Sequence, residues 1–336
     1  MELDPDDPDG YLDRAAVWRS HFLLEEDPAY LRGAEEDLRR ALAVAPSDAR
    51  VTAALGEVLL LRRKPSEAFP WLQRAVLADP SQVAARTLLA DLIVRAGRAN
   101  LEKHAETREA AELDEAAAAA ERALALDAPA PGARLLEADV LRVRGRWADA
   151  LRALRAAEER WPESRDVLDA LATYHRDLGH GYLLKRQDDA AVEAFRSALA
   201  VPGATIDLAG VRERLVGIAA AAFRAGIEAR AAGRVEEAEA LFRRSLRADE
   251  TPEGWFQLAM ALAAREDLEA LVESDESFAR ALAMREDFQA ARLNRAGVLM
   301  RLGRLPEAIA AYRDWLTRAP QDDADRRAVE RQIATA

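Results

Sequence analysis

The sequence contains no cysteine, which excludes disulfides, thiol nucleophiles and thiolate metal sites together. Aromatic residues make up only 6% of it. β-Branched residues are sparse, and no alternating apolar pattern long enough for a strand appears. Lysine is almost absent: Lys64, Lys103 and Lys185 stand among 48 basic residues, the rest arginine. Arginine and lysine differ in hydrogen bonding, but both serve as solvated face residues, so this bias says more about coding composition than about function. No apolar run approaches the roughly 18 residues that a membrane span needs, and the acidic start has the wrong sign for a secretory leader. The expectation is a cytoplasmic chain that does not enter a membrane.

What is present is helix-forming. The 336 residues are 50% hydrophobic and 32% charged, dominated by Ala, Leu, Arg and Glu, a composition typical of long helices. The fold class is all-α. Net charge is −12, whereas nucleic-acid binding usually leaves a basic footprint; no nucleic-acid partner is expected.

One stretch organises the rest. In LGHGYLLKRQDDAAVEAFRSA, residues 178–198, Leu178, Gly179 and Tyr182 follow an L-G-x-x-Y spacing, and Ala191, Phe195 and Ala198 follow after a polar break. Intervals of three and four place each set on one helical face. Two such helices, meeting through small residues and interlocking through aromatics, form an antiparallel hairpin. The second-helix signature, with the proline that often ends it, recurs at Ala34, Leu38, Ala41 and Pro46; at Ala68, Leu72, Ala75 and Pro80; at Ala150, Leu154, Ala157 and Pro162; and at Ala308, Tyr312, Trp315 and Pro320. Looser copies are Ala116, Ala120 and Ala123; Ala238, Phe242 and Ser245; and Ser274, Phe278 and Ala281. First-helix signatures are weaker: Leu55-Gly56 with Leu59, Gly226, and Trp255, Leu258, Ala259 and Leu262. Gly145, Gly233 and Gly303 fall where the turn between helices needs a positive φ.

This pattern resembles the tetratricopeptide repeat (TPR) family. The resemblance covers nearly the whole chain and implies a right-handed α-solenoid of about eight helical hairpins. The hairpin ends at Pro5, Pro46, Pro80, Ala128, Pro162, Gly203, Glu250, Glu286 and Pro320 are 41, 34, 48, 34, 41, 47, 36 and 34 residues apart. Three steps match the family's period, and the larger excesses are close to two or four whole helical turns, which lengthens a helix while keeping its apolar face. Lengthened helices are therefore expected at residues 11–31, 101–126, 164–185 and 207–232, with Asn100 as N-cap of the second. The expected repeats are 7–46, 47–80, 81–128, 129–162, 163–203, 204–250, 251–286 and 287–320, with a capping helix in 321–336. Glu2-Leu3-Asp4-Pro5 reads as the end of a repeat's second helix, so the expectation is either a segment of a longer polypeptide or a misplaced start codon.

Little else points to chemistry. His21, His104, His175 and His180 form no metal-binding spacing, and Gly179-His180-Gly181 lacks the strand and the G-K-[ST] of a phosphate loop. Carboxylate pairs such as Glu57 and Asp91 have no adjacent base or nucleophile. No catalytic residue, metal or cofactor is expected, and the chain is read as a non-enzyme. Trp18, Trp71, Trp147, Trp255 and Trp315 suit the seams between helices; Trp161, beside Pro162, is the one expected to act as a contact.

The resemblance also implies a site. In the family, first helices line a concave face, and residues beside the packing signature hold partners. Those positions here are Arg19, Glu57, Thr87, Asp91, Asp139, Arg142, Arg176, His180, Arg230, Gln257, Met260 and Asn294, with Arg224 and Arg301 beside them. The Lys and Asn set of the family's carboxylate clamp is missing, which speaks against recognition of chaperone tails. Arg142, Arg176, Arg224 and Arg230 suggest a locally basic centre for an acidic or carboxylate-bearing protein segment; the competing reading pairs them internally with Asp or Glu. The expected function is a protein–protein interaction scaffold or adaptor, within a larger signalling or effector protein, and the alternative is a sensor holding a small ligand inside the superhelix.

Overall fold

The computed structural model describes residues 4, 6–265, 267–320 and 323–335. Every regular element among them is helical, seventeen α-helices in all and no strand. Glu2, Leu3 and Pro5, on which the reading of the N-terminal segment rests, lie outside the described residues, as does Gln321.

The chain divides into two compact units, Met1–Tyr174 and His175–Ala336. The first contains four antiparallel hairpins: α1 (Pro8–Glu25) with α2 (Pro28–Val44), α3 (Ala49–Leu61) with α4 (Pro65–Ala78), α5 (Val83–Thr107) with α6 (Ala110–Ala125), and α7 (Gly132–Val143) with α8 (Trp147–Arg160). Helix α9 (Arg165–Leu184) runs through the division. The second unit continues with α10 (Asp188–Leu199), the hairpins α11 (Ala209–Ala231) with α12 (Val235–Ala248), α13 (Pro252–Ala263) with α14 (Leu268–Met284) and α15 (Gln289–Arg301) with α16 (Leu305–Arg318), and α17 (Arg326–Thr335). Within each unit, consecutive hairpins stack, as in an α-solenoid.

Local chemistry explains the boundaries. Asp7, Asp27, Asp48, Thr251 and Asp267 each cap a helix by accepting from a backbone N–H two or three residues on. Pro8, Pro28, Pro65 and Pro252 occupy first-turn positions, where the missing N–H costs nothing. Gly145, Gly233 and Gly303 all turn at φ +73°, as their spacing predicts. The seam is built from small residues opposite large ones. A Cβ on Gly179 would lie 2.5 Å from the Phe195 ring, and one on Gly226 2.7 Å from the Phe242 ring. Both phenylalanines are fully buried, as are Leu38, Leu72 and Phe278 at matching positions.

Polar staples cross the hairpins. Buried Asp37 accepts from Arg14 Nε at 2.7 Å and from the Trp18 indole at 3.1 Å. Glu35, Glu239 and Asp275, also buried, each follow the small residue of a second helix. They pair with arginines of the next hairpin's first helix or turn: Arg62, Arg265, and Arg295 with Arg304, respectively.

The lengthened helices are of two kinds. Helices α9 and α11 extend as single arms, close to 164–185 and 207–232. The other two expectations need correction. Residues 11–31 do not form one helix: Glu26 turns left-handed at φ 57°, and α2 starts afresh from the Asp27 cap and Pro28. Nor is Asn100 an N-cap for 101–126, since it lies inside the 25-residue α5, which ends at Arg108 with φ 61°. The extra turns are shared between both arms of a hairpin, and contacts across its tip fix the break. His104 Nδ1 lies 2.6 Å from the Glu109 carbonyl, and Lys103 Nζ lies 2.7 Å from Glu112. Leu101 packs on the core cluster that holds Ala116, Ala119 and Ala120, so α5 gains by continuing past Asn100.

Most tryptophans serve the seams as expected: Trp315 is buried, and Trp18, Trp71 and Trp255 pack on core clusters. Trp161 is partly exposed under the Arg160 guanidinium, 4.8 Å from its ring centre.

Candidate partner-binding surface

The outward faces of the odd-numbered helices carry the residues beside the packing signature. In the first unit, Arg19 of α1 pairs with Glu57 of α3. Glu57 and Asp91 of α5 line one cleft of about 500 Å³, floored by Leu60, Leu61, Leu88 and Leu92 and rimmed by Arg95. Thr87 is turned back onto its own helix, donating to the Val83 carbonyl at 2.8 Å. Asp139 and Arg142 of α7 are 3.3 Å apart and share a small cleft of about 190 Å³ with Asp169 and Thr173. Glu57, Asp91 and Asp139 each directly follow the small packing residue of α3, α5 and α7. This face of the first unit is therefore acidic at one repeated position.

In the second unit, Arg176 pairs with its neighbour Asp177 at 3.0 Å. His180 meets the Phe195 ring edge-on, 5.2 Å between centres. Arg224 is exposed, its Nε 3.4 Å from the Ala220 carbonyl one turn back. Arg230 Nε and Gln257 Oε1 are buried atoms without a hydrogen-bond partner. Of the four central arginines, Arg142 belongs to the first unit and the other three to the second. Arg142 and Arg176 have carboxylate partners on their own helices.

The largest gathering of expected residues is at the C-terminal end. Met260 of α13, with Asn294 and Arg301 of α15, lines a cleft of about 700 Å³ closed on its third side by α17. Arg301 donates to the Ala263 carbonyl at 2.8 Å, and Asn294 Nδ2 to the Ala290 carbonyl at 2.8 Å. Leu293, Met300 and the buried Tyr312 supply apolar wall and floor, and Asp325, just before α17, and Gln332 of α17 supply the far rim. Burial raises the Tyr312 phenol above its ordinary value, so it stays a neutral donor. Sequence reasoning missed Tyr312, Gly297 and α17 as parts of this surface. The available signal was Gly297 itself, a glycine where preceding first helices carry Glu57, Asp91, Asp139 and Met260.

Among the described residues, no group of three or more His, Asp or Glu could hold a metal ion, and no helix is long and apolar enough to cross a membrane.

The family profile of the tetratricopeptide repeat matches residues 31–83, 108–165, 135–205, 223–270 and 273–323, well over half of the sequence. The chain belongs to the tetratricopeptide repeat family. No curated protein matches it. Among solved structures, it is similar to the TPR protein YrrB, described as having an unusual peptide-binding site, at 20% identity and TM-score 0.40 over 59% of this chain and 87% of that one. It is also similar to the TPR2AB domain of yeast Sti1, solved with a pHSP90 complex, at 17% identity and TM-score 0.33 over 73% and 97%. A third is MamA of Desulfovibrio magneticus, at 15% identity and TM-score 0.36 over 56% and 95%. Likenesses this distant carry no argument about what this chain binds.

Proposed function

We propose that this TPR chain is a non-catalytic protein-interaction scaffold that holds an extended segment of a partner protein along its first-helix faces. One observation carries the reading: the clefts on these faces have apolar floors and polar or charged rims and open to solvent. The Leu60–Leu61–Leu88–Leu92 floor beside Glu57 and Asp91 is one, and the cleft on α13, α15 and α17 is the other. Such a surface suits side chains entering from a peptide whose backbone stays outside, and stacked helices hold it in place so that only the partner loses conformational freedom. The mix of fixed apolar wall and few polar groups favours this over catalysis, for which no set of converging titratable groups is at hand among the described residues.

The test is selection from a randomised peptide library displayed on phage, with the full chain as bait. Enriched sequences should lose binding when Glu57 and Asp91 are reversed to lysine, or when the α13–α15 face is altered, with the helical circular dichroism unchanged. Failure to enrich any sequence would overturn the reading. Co-purification of a stoichiometric small molecule would instead support a ligand sensor.

A further inference from the structure

In several hairpins, a large second-helix residue packs on a small first-helix residue. Leu72 meets Gly56, Phe195 meets Gly179, and Phe242 meets Gly226. At the corresponding place in α16 stands Tyr312, the one such position where the large residue carries a polar atom. Its side chain is 3% exposed and packs with Ala296. Among the described residues, its hydroxyl makes no hydrogen bond, and its oxygen is not one of the side-chain atoms sealed from solvent. Leaving a buried donor unmade is costly, and here the hydroxyl does have one outlet. Gly297 follows Ala296 and carries no side chain; among the described residues, the one atom beyond its own helix within 4 Å of its would-be Cβ is the Tyr312 hydroxyl oxygen, at 3.7 Å. In the previous hairpin Met260 follows Ala259 at that step. Gly297 is thus a window in α15 through which the buried hydroxyl faces the 700 Å³ cleft.

The surroundings of the window define what fits it. Arg301 lies one helical turn beyond Gly297, on the same face and in the same cleft. Its guanidinium spends one N–H on the Ala263 carbonyl and keeps others free. Leu293, Met260 and Met300 wall the space beside it, and Asp325 stands on the opposite rim, just before α17. A neutral phenol and a guanidinium are both donors, and together they call for an acceptor with two lone-pair-bearing oxygens.

Resting on the scaffold reading above, we infer that the Gly297 window is a pocket for the carboxylate side chain of a partner's Glu or Asp. One oxygen takes the Tyr312 hydroxyl, the other takes Arg301, and a neighbouring apolar residue of the partner lies on Leu293, Met260 and Met300. This is a chemical specification of the partner, an acidic residue adjacent to an aliphatic one, and it belongs to the second unit alone.

The experiment is panning of the randomised dodecamer library on the full chain and on two variants built to leave packing intact. Tyr312→Phe removes only the hydroxyl. Gly297→Met borrows the residue of the preceding hairpin and shuts the window, its gain in helix propensity offsetting part of the cost of enclosing the hydroxyl. Sequences enriched on the unaltered chain should share a Glu or Asp next to an aliphatic residue. Their affinity should fall about ten-fold or more on either variant, and likewise when that Glu is changed to Gln in the synthetic peptide. On titration with the enriched peptide, the Tyr312 ring resonance nearest the hydroxyl should shift. Enriched peptides that bind Tyr312→Phe as tightly as the unaltered chain, or that carry no shared acidic residue, overturn the inference. If these peptides instead depend on Glu57 and Asp91, the scaffold reading survives and the window does not. If nothing is enriched, both fall.

Discussion

Two glycines on one helix should respond in opposite ways to the same substitution. Gly217 and Gly226 both lie inside α11, and alanine is favoured over glycine in a helix interior by about 0.8–1.0 kcal/mol. Around Gly217 a new Cβ would meet nothing within 4 Å, so Gly217→Ala should stabilise the α11–α12 hairpin by up to about 1 kcal/mol. At Gly226 the same methyl would lie 2.7, 2.9 and 3.0 Å from three ring carbons of Phe242. That ring is fully buried among Leu246, Leu258 and Leu262 and has no free side to move toward. Overpacking of this kind costs about 1–3 kcal/mol, which outweighs the propensity gain and leaves Gly226→Ala destabilising by about 1 kcal/mol. Phe242→Leu should relieve the clash, because the chain itself sets Ala138 opposite Leu154 at the same spacing. The double variant should therefore lose about 1 kcal/mol less than the two single variants added together. Repeat arrays do not unfold all at once, so the assay is native-state hydrogen exchange of the α11 and α12 amides. Equal slowing of exchange by both alanine substitutions would refute the packing argument, and strict additivity in the double variant would refute the assigned contact.

Two further expectations concern charge. Asp275 is 8% exposed at its side chain and holds Arg295 Nε at 2.6 Å and Arg304 Nη1 at 2.7 Å. Asp275→Asn should lower the urea midpoint of the second unit by the equivalent of about 1–2 kcal/mol, since both arginines keep access to solvent; an unchanged midpoint would count against the staple. Asp189 of α10 lies below the usual carboxylate value because it accepts from Arg244 of α12, with Arg247 adding to the effect. A carboxylate depressed in the folded state contributes above its unfolded pKa and loses that contribution as pH falls through the folded one. Exchange in α10 and α12 should thus accelerate below about pH 4, and Asp189→Asn should show the faster exchange already at pH 7 with a flattened pH profile.

Much of the fold was legible because its determinants are local. Gly179 and Phe195 announce a close helix pair through residue size and spacing alone, and both are where that spacing demands. The turn glycines 145, 233 and 303 are equally transparent. The whole-turn excess in hairpin length was legible too, as were the ends of α9 and α11, but the point where the chain turns back in the α1–α2 and α5–α6 hairpins was not. Glu26 and Arg108 adopt left-handed conformations that no local preference favours. What holds the second turn is a set of contacts between residues on opposite arms, Lys103 with Glu112 and His104 with the Glu109 carbonyl. Such contacts exist only once the arms are paired, so a reading by helix propensity put the boundary at Asn100.

The surface follows the same division, and for a sharper reason. That Glu57, Asp91, Asp139, Met260 and Asn294 face outward follows from their place beside the packing residues. Whether an outward residue is a ligand contact depends on what lies beneath and beside it, which periodicity does not encode. Arg142 and Arg176 look alike in sequence to Arg301, yet the first two have a carboxylate within reach on their own helix, whereas Arg301, among the described residues, holds a backbone carbonyl. Tyr312 makes the point most strongly. At a packing position a tyrosine counts as one more large apolar side chain, and its ring does fill the seam. The fate of the hydroxyl is decided elsewhere, by the absence of a side chain at Gly297 on the partner helix. A methionine there, as one hairpin earlier, would close the cleft over a buried unpaired donor, an arrangement costing about 1–3 kcal/mol. Keeping the phenol at this position is therefore physically reasonable only if the window stays open, so that water or a partner's acceptor can reach the hydroxyl.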